Sequence, residues 1–360
     1  MTSHAKAWPG LTENVRDLRT LTDLDGVSCG WDRLKSSLAG PGQQSIWMRA
    51  AAATFANSTF HVVMLGDPEI RAVAPLVRHR GHYELAAVAE LGEPMDFLWR
   101  DEGSLAELCD VFARAGAPLV LGRTLASSPT LVALRRAYGH SALQVTHLRP
   151  GLPYIPLDDS WLEPESHFDA RRRSDLRRAR RRAAATGEVT LEFHSPAPTG
   201  VGALLDEALA VEARSWKSRQ GTALVQDSLR LPFFRLYATA AAASGSLRVF
   251  FLRIGGRLAA MQLGVESGSG LWLLKIGYDE EFQRASPGEL LMLEAIRHAA
   301  KLGLRSFELL GAAGAWSRRW TSTERASVRA AFFPLHARSL VPCAEDGLRE
   351  VLHTLAHARA

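Results

Sequence analysis

Hydrophobic and polar positions alternate along the chain in two styles. In the first half, residues 60–65 (FHVVML) and 70–76 (IRAVAPL) read as strands, and the turn-like HRGH follows the second. Residues 47–55, 105–115 and 129–138 carry helical spacing, and 118–123 read as a short buried strand. From residue 189 the order is clearer. The strand VTLEFH precedes helices over about 202–216 and 231–243. Two apolar runs, 247–254 and 257–265, meet at Gly255-Gly256, a strong hairpin signal, and 270–278 adds a third strand after SGSG. A long helix over 287–302 and a strand over 305–310 complete a βαβ unit, and 327–335 can add one more strand. Four prolines within 149–166 mark a linker. The pattern predicts an α/β (α+β) class, with mixed sheets flanked by helices. It divides the chain into a domain over 1–160, a second over 161–345 and a helical tail over 346–360.

Composition narrows the class of protein. At 360 residues, 47% hydrophobic and 22% charged, the chain is ordinary globular material, which excludes a disordered protein, a fibre and a disulfide scaffold. The formal charge of +5 is too mild to imply DNA as a partner. Its distribution matters more, because eight arginines fall within 171–182 and recur at i, i+4 and i+7 through Arg173, Arg177 and Arg180. This is either a solvated helix face or an anion-binding face for phosphates or RNA. Cys29, Cys109 and Cys343 are far apart, which suits reduced thiols and no zinc site. The first residues lack a leader pattern, and no apolar run approaches the roughly 18 residues needed to cross a bilayer. A cytoplasmic protein without metal or membrane partner is therefore expected.

Ser286-Pro287-Gly288-Glu289 is the most informative local feature. Ser286 fits an N-cap, Pro287 the first helical position and Glu289 the third, which makes a capping box; Gly303 fits the other end. Gly288 has no side chain, so an extended anionic group can approach the first-turn amides. A well-capped helix without a ligand would show the same four residues. A competing pattern, GVSCG at 26–30, satisfies the hydrolase elbow G-x-S-x-G, but the preceding LTDLD is too polar for the buried strand that motif requires.

Four segments occur in order: RRRSDLRRARRRAAATGEV, EARSWKSRQG, LLKIGYDEEFQRASPGELLMLEAIRHAAKLG and FELLGAAGAWSRRW. Together they resemble the GNAT acyltransferase superfamily, and within it the CelD/BcsL (BioF-like acetyltransferase) branch. The first half resembles a second, degenerate GNAT-like domain, a layout similar to the Fem peptidyl transferases. In one respect the chain departs from the family: Ser317 stands where a lysine is usual, with Arg318 and Arg319 beside it.

The resemblance implies an N-acyltransferase that takes acetyl-CoA or another acyl-CoA and acylates an amine of a small-molecule or sugar acceptor. It implies donor binding at Ile276, Gly277, Ser286, Pro287, Gly288 and Glu289, with the pyrophosphate on the helix start and the strand amides polarising the thioester carbonyl. Glu308 is the candidate general base, Lys275 a charge beside it and Tyr278 the acid returning a proton to sulfur. Each has a plainer reading: an ion-paired strand carboxylate, a half-exposed lysine and a packing aromatic. Glu212, Trp216 and Lys217 would line the acceptor side, or simply form an amphipathic helix. Two alternatives stand beside this reading. One replaces the donor by an acyl carrier protein or an aminoacyl-tRNA; the other is a binding protein that has lost the chemistry.

Overall fold

The structure, a computed structural model, describes residues 14–36, 38–55, 59–309 and 311–357. The chain opens with β1 (Val15–Leu18), α1 (Leu21–Asp25), α2 (Ser28–Trp31) and α3 (Ser45–Thr54). A meander of β2 (Thr59–Leu65), β3 (Ala72–His79) and β4 (His82–Leu85) leads through α4 (Val88–Leu91) to the two-residue β5 (Leu98–Trp99). Then come α5 (Glu102–Arg114), β6 (Leu119–Leu125), α6 (Pro129–Tyr138) and the long β7 (Ala142–Pro156). The second half runs α7 (Ala170–Thr186), β8 (Val189–His194), α8 (Val201–Ala213), α9 (Trp216–Arg219) and α10 (Arg230–Ala243). It continues with the meander β9 (Leu247–Ile254), β10 (Arg257–Ser267) and β11 (Gly270–Tyr278), then α11 (Pro287–Lys301) and β12 (Ser306–Glu308). The strand β13 (Glu324–Pro334) and the helix α12 (Ala337–His357) follow.

Two compact units result: Met1–Pro150 with Ala326–Ala360, and Gly151–Arg325. The division therefore falls near residue 150 rather than 160, and 326–345 leave the second unit. The reason is pairing at long range. β13 lies antiparallel to β6, with Ser327 opposite Leu125 and Phe332 opposite Leu119. The helix α12 is tied to the same unit by Arg329 to Asp346, and by Arg149 to Glu350 at 2.5 Å.

In the first unit β1, β2, β3 and β4 pair antiparallel in sequence order, and β6 adds to β4 in parallel. In the second unit β8, β9, β10 and β11 pair antiparallel in order, and β12 adds to β11 in parallel. The hairpin between β9 and β10 turns on Gly255 and Gly256, at φ 58° and 78°. Two successive left-handed residues give the turn whose twist matches that of the strands, and glycine holds them without strain.

The second unit buries Phe250, Leu252, Leu271, Leu273 and Phe307 of the sheet against Leu291, Leu293, Ile296 and Ala299 of α11 and Leu176, Ala179 and Ala183 of α7. This apolar face of α7 explains why an arginine-rich segment still docks: six of its eight arginines are exposed, and Arg172 and Arg173 are half-buried.

Candidate active site

β11 keeps its pairing with β10 as far as Tyr278, yet it pairs with β12 only over Gly270–Trp272. β12 ends at Glu308, opposite Trp272, so β11 runs on beyond that pairing. The register on β10 shifts there as well, from Leu263 opposite Lys275 to Gly264 opposite Leu273, so Leu274 is an extra residue on β11. Such a bulge re-aims the side chains that follow it. Leu273 and Ile276 consequently both pack on the α11 side. Lys275 and Gly277 take the other side: the Lys275 ammonium lies 4.4 Å from the ring centroid of Phe234, and a Cβ on Gly277 would meet Cα of Glu212 at 3.2 Å. Glycine at 277 is what lets α8 approach the strand.

A cavity of about 570 Å³ occupies this end of the sheet. Its walls are Met261 and Gln262 of β10, Ile276, Gly277 and Tyr278 of β11, and Ser286, Pro287, Gly288, Glu289 and Met292 at the start of α11. Trp216 and Lys217 of α9 close one side, and Gln283, Trp316 and Arg319 complete the lining. All six residues expected to hold the donor, and two of the three expected beside the acceptor, therefore meet in one place.

The start of α11 differs from the capping box expected of Ser286 and Glu289. Ser286 sits in the left-handed region at φ 48° and ψ 51°, and its side chain makes no cap. Its carbonyl instead accepts the N–H groups of Glu289 and Leu290, at 3.0 and 3.2 Å. The Glu289 carboxylate turns away to Arg172, at 3.0 Å, and to Arg319. Pro287 has no N–H, so the Gly288 amide is left for an incoming acceptor. Left-handed backbone on a serine is strained, and such strain gathers at ligand sites.

On the opposite wall, α8 ends at Ala213 and Ser215 caps a fresh turn, accepting the Lys217 N–H. Trp216 therefore does not share a continuous helix with Glu212, as the sequence spacing suggested. Glu212 is only 1% exposed. Its Oε1 accepts from Lys217 Nζ at 2.8 Å and its Oε2 from the Leu224 N–H at 2.9 Å. Lys217 Nζ also donates to the Ile276 carbonyl at 2.6 Å. An ammonium has three N–H groups, so one remains for the cavity. Arg219, two residues further along α9, hydrogen-bonds Glu280 and holds its carboxyl below the usual range, which pins α9 to the segment after β11.

Glu308 falls outside this lining. It is 3% exposed, and Arg325 binds both its oxygens, at 2.5 and 2.9 Å, while stacking over the Tyr154 ring. The partner anticipated for it, Lys275, is directed to Phe234. Ser317, at the position of the usual lysine, closes a tight turn by accepting the Gly314 N–H at 2.9 Å and donating to the Gly314 carbonyl. Ser28 of the GVSCG segment opens a short helix directly after another helix, so no strand-to-helix elbow forms there. Sequence reasoning missed Met261, Gln262, Gln283, Met292 and Trp316. For Gln262 a signal existed, a single amide inside the otherwise apolar run RLAAMQLGV.

Residues 170–318 match the family model of the acetyltransferase (GNAT) domain. Solved structures similar to this chain extend over both units. The C-terminal (DUF2156) domain of a protein assigned as a lysylphosphatidylglycerol synthetase, from Agrobacterium fabrum, is 15% identical, with 91% of this chain and 95% of that one covered at a TM-score of 0.57. FemX is 13% identical, with 89% and 97% covered at a TM-score of 0.57. A conserved protein of unknown function from Bacteroides thetaiotaomicron is 11% identical, with 88% and 98% covered at 0.54. At these identities the likeness is one of fold. No protein of curated description matches the chain in sequence. Among the described residues, no helix is long and apolar enough to cross a membrane.

Proposed function

We propose that the second unit is an acyl-CoA-dependent N-acyltransferase, acting on an amine of a small-molecule or sugar acceptor, and that the first unit is a degenerate copy of the same fold. The observation that carries this reading is the continuity of one cavity from Gly288, along Tyr278 and Ile276, to Lys217, on the part of β11 beyond its pairing with β12. The pyrophosphate sits on the first turn of α11, where the exposed amide and the helix dipole favour an anion. The acyl arm lies along β11. The amine nitrogen attacks the thioester carbonyl: a C–N bond forms, the C–S bond breaks, and the carbonyl oxygen carries negative charge in between. The remaining N–H of Lys217 and the β11 amides face that charge. Tyr278 gives its proton to the departing thiolate and regains one from water, while the proton lost by the amine passes to water at the exposed Trp216 and Trp316 rim. Glu308 is not assigned as the base in this scheme, because Arg325 already occupies both its oxygens. The CelD/BcsL branch remains part of this proposal through the segments that resemble it.

Calorimetric titration of acetyl-CoA tests the reading. Gly288→Val adds bulk against Tyr278, whose Cδ1 lies 3.5 Å from where a Cβ would stand. Binding should fall by more than about tenfold with little change in folding. Equal affinity of both proteins removes the helix start from the site. A second reading, an acyl carrier protein or an aminoacyl-tRNA as donor, draws on the exposed arginines of α7 and on a recess of about 360 Å³ lined by Arg171, Arg172 and Arg319 together with Asp169 and Asp175. A steep loss of donor binding with salt would favour it.

A further inference from the structure

Gln262 is 2% exposed, lies on β10 opposite Ile276, and forms part of the cavity wall. Its Nε2 donates to the thioether of Met292 at 3.8 Å, and its Oε1 has no hydrogen-bond partner. Its neighbours in the wall, Met261, Ile276 and Met292, offer no better donor. A buried amide oxygen without a donor costs stability, and a methionine or leucine would fill the same space without that cost. A buried polar atom left unsatisfied at a cavity wall calls for a partner from the cavity's contents.

We propose that Gln262 Oε1 is the hydrogen-bond acceptor for an N–H or O–H group carried by the thioester donor. The inference rests on the acyl-CoA reading of this cavity. Met292 stands one helical turn beyond Gly288, so the amide lies inward of the phosphate site and meets the part of the donor nearer the sulfur. Two groups there carry such hydrogens: the amides of the pantetheine arm, and a hydroxyl or amino substituent on the acyl chain. The oxygen discriminates against a donor that presents only carbon to it, because its hydrogen bond then goes unmade.

Gln262→Met keeps the length of the side chain and removes the acceptor. Wild type and variant are titrated with CoA, acetyl-CoA, butyryl-CoA and 3-hydroxybutyryl-CoA, and their melting temperatures are measured without ligand. Affinity should fall by about tenfold, the worth of one neutral hydrogen bond, while the ligand-free variant melts at the same temperature or a few degrees higher. An equal loss for all four ligands identifies the pantetheine arm; a loss confined to the hydroxyacyl donor identifies the acyl group. Unchanged affinity for all four, or a lower melting temperature, overturns the assignment and makes Gln262 a packing residue. If wild type binds none of the four, the acyl-CoA reading itself fails and this inference falls with it.

Discussion

The two units share a plan and differ at one helix start. In each, an antiparallel meander ends in a strand that receives a parallel partner across a helical crossover: β4, α5 and β6 in the first unit, β11, α11 and β12 in the second. The crossover helix α5 is closed by its own chain. Asp101 is the N-cap, its carboxylate accepts the Ser104 N–H at 2.7 Å, and Glu102 adds a second acid to the first turn. That negative charge satisfies the helix dipole from within. In α11 the side-chain cap is missing, Ser286 is strained, Pro287 and Gly288 carry no polar side chain, and Glu289 is drawn off by two arginines. One unit closes its helix start with its own side chains, whereas the other leaves the Gly288 amide uncapped, where we propose an anion binds. A fold present twice thus needs only a few residues at one turn to separate a supporting unit from a candidate site.

The largest effect should come from erasing that difference. Gly288→Asp puts a carboxylate in the first turn of α11, as α5 has, and acetyl-CoA affinity should drop by about a hundredfold through repulsion of the pyrophosphate. Calorimetry at fixed ionic strength reads this directly, and retained affinity would break the comparison. Glu308→Gln tests whether β12 carries catalysis or architecture. Loss of the charged pair with Arg325 should cost about 1–3 kcal/mol in urea denaturation, with turnover changed by no more than a few-fold. A drop in turnover of roughly 10²-fold or more would restore Glu308 as the base.

Asp101→Ala sharpens the contrast from the other side. Removing an N-cap should cost about 1 kcal/mol of stability and leave acetyl-CoA affinity unchanged. The smallest effect concerns pH. Burial lowers the pKa of His298, whose ring stacks on Phe193 at 4.6 Å. The folded state therefore binds this proton less readily than the unfolded chain does. Its contribution to stability is complete above the unfolded value near 6.5 and is lost as pH falls through the lower folded value. His298→Phe should flatten the dependence of the denaturation midpoint between about pH 7 and 5.

Much of this molecule was legible in its residues because the deciding forces were local. Gly255-Gly256 between two apolar runs specifies a turn by sterics alone. The order of strands and helices from residue 189 follows from periodicity, and Pro287-Gly288 marks a helix start whatever surrounds it. These features depend on residues a few positions apart. The return of β13 and α12 to the first unit was not visible, since strand pairing with β6 joins segments some two hundred residues distant in sequence and a β-strand carries no label for its partner. Glu308 looked like a base because its type and strand were right; only the folded chain brought Arg325 and Tyr154 onto it. Ser286 looked like a side-chain cap, yet the path of the chain into α11 forced it into the left-handed region and transferred the capping to its carbonyl. Periodicity and local sterics determined which elements form. Tertiary packing alone decided which charges meet, which glycine admits a neighbouring helix, and which amide in an apolar strand faces a cavity, because each depends on what a distant segment brings to the same point in space.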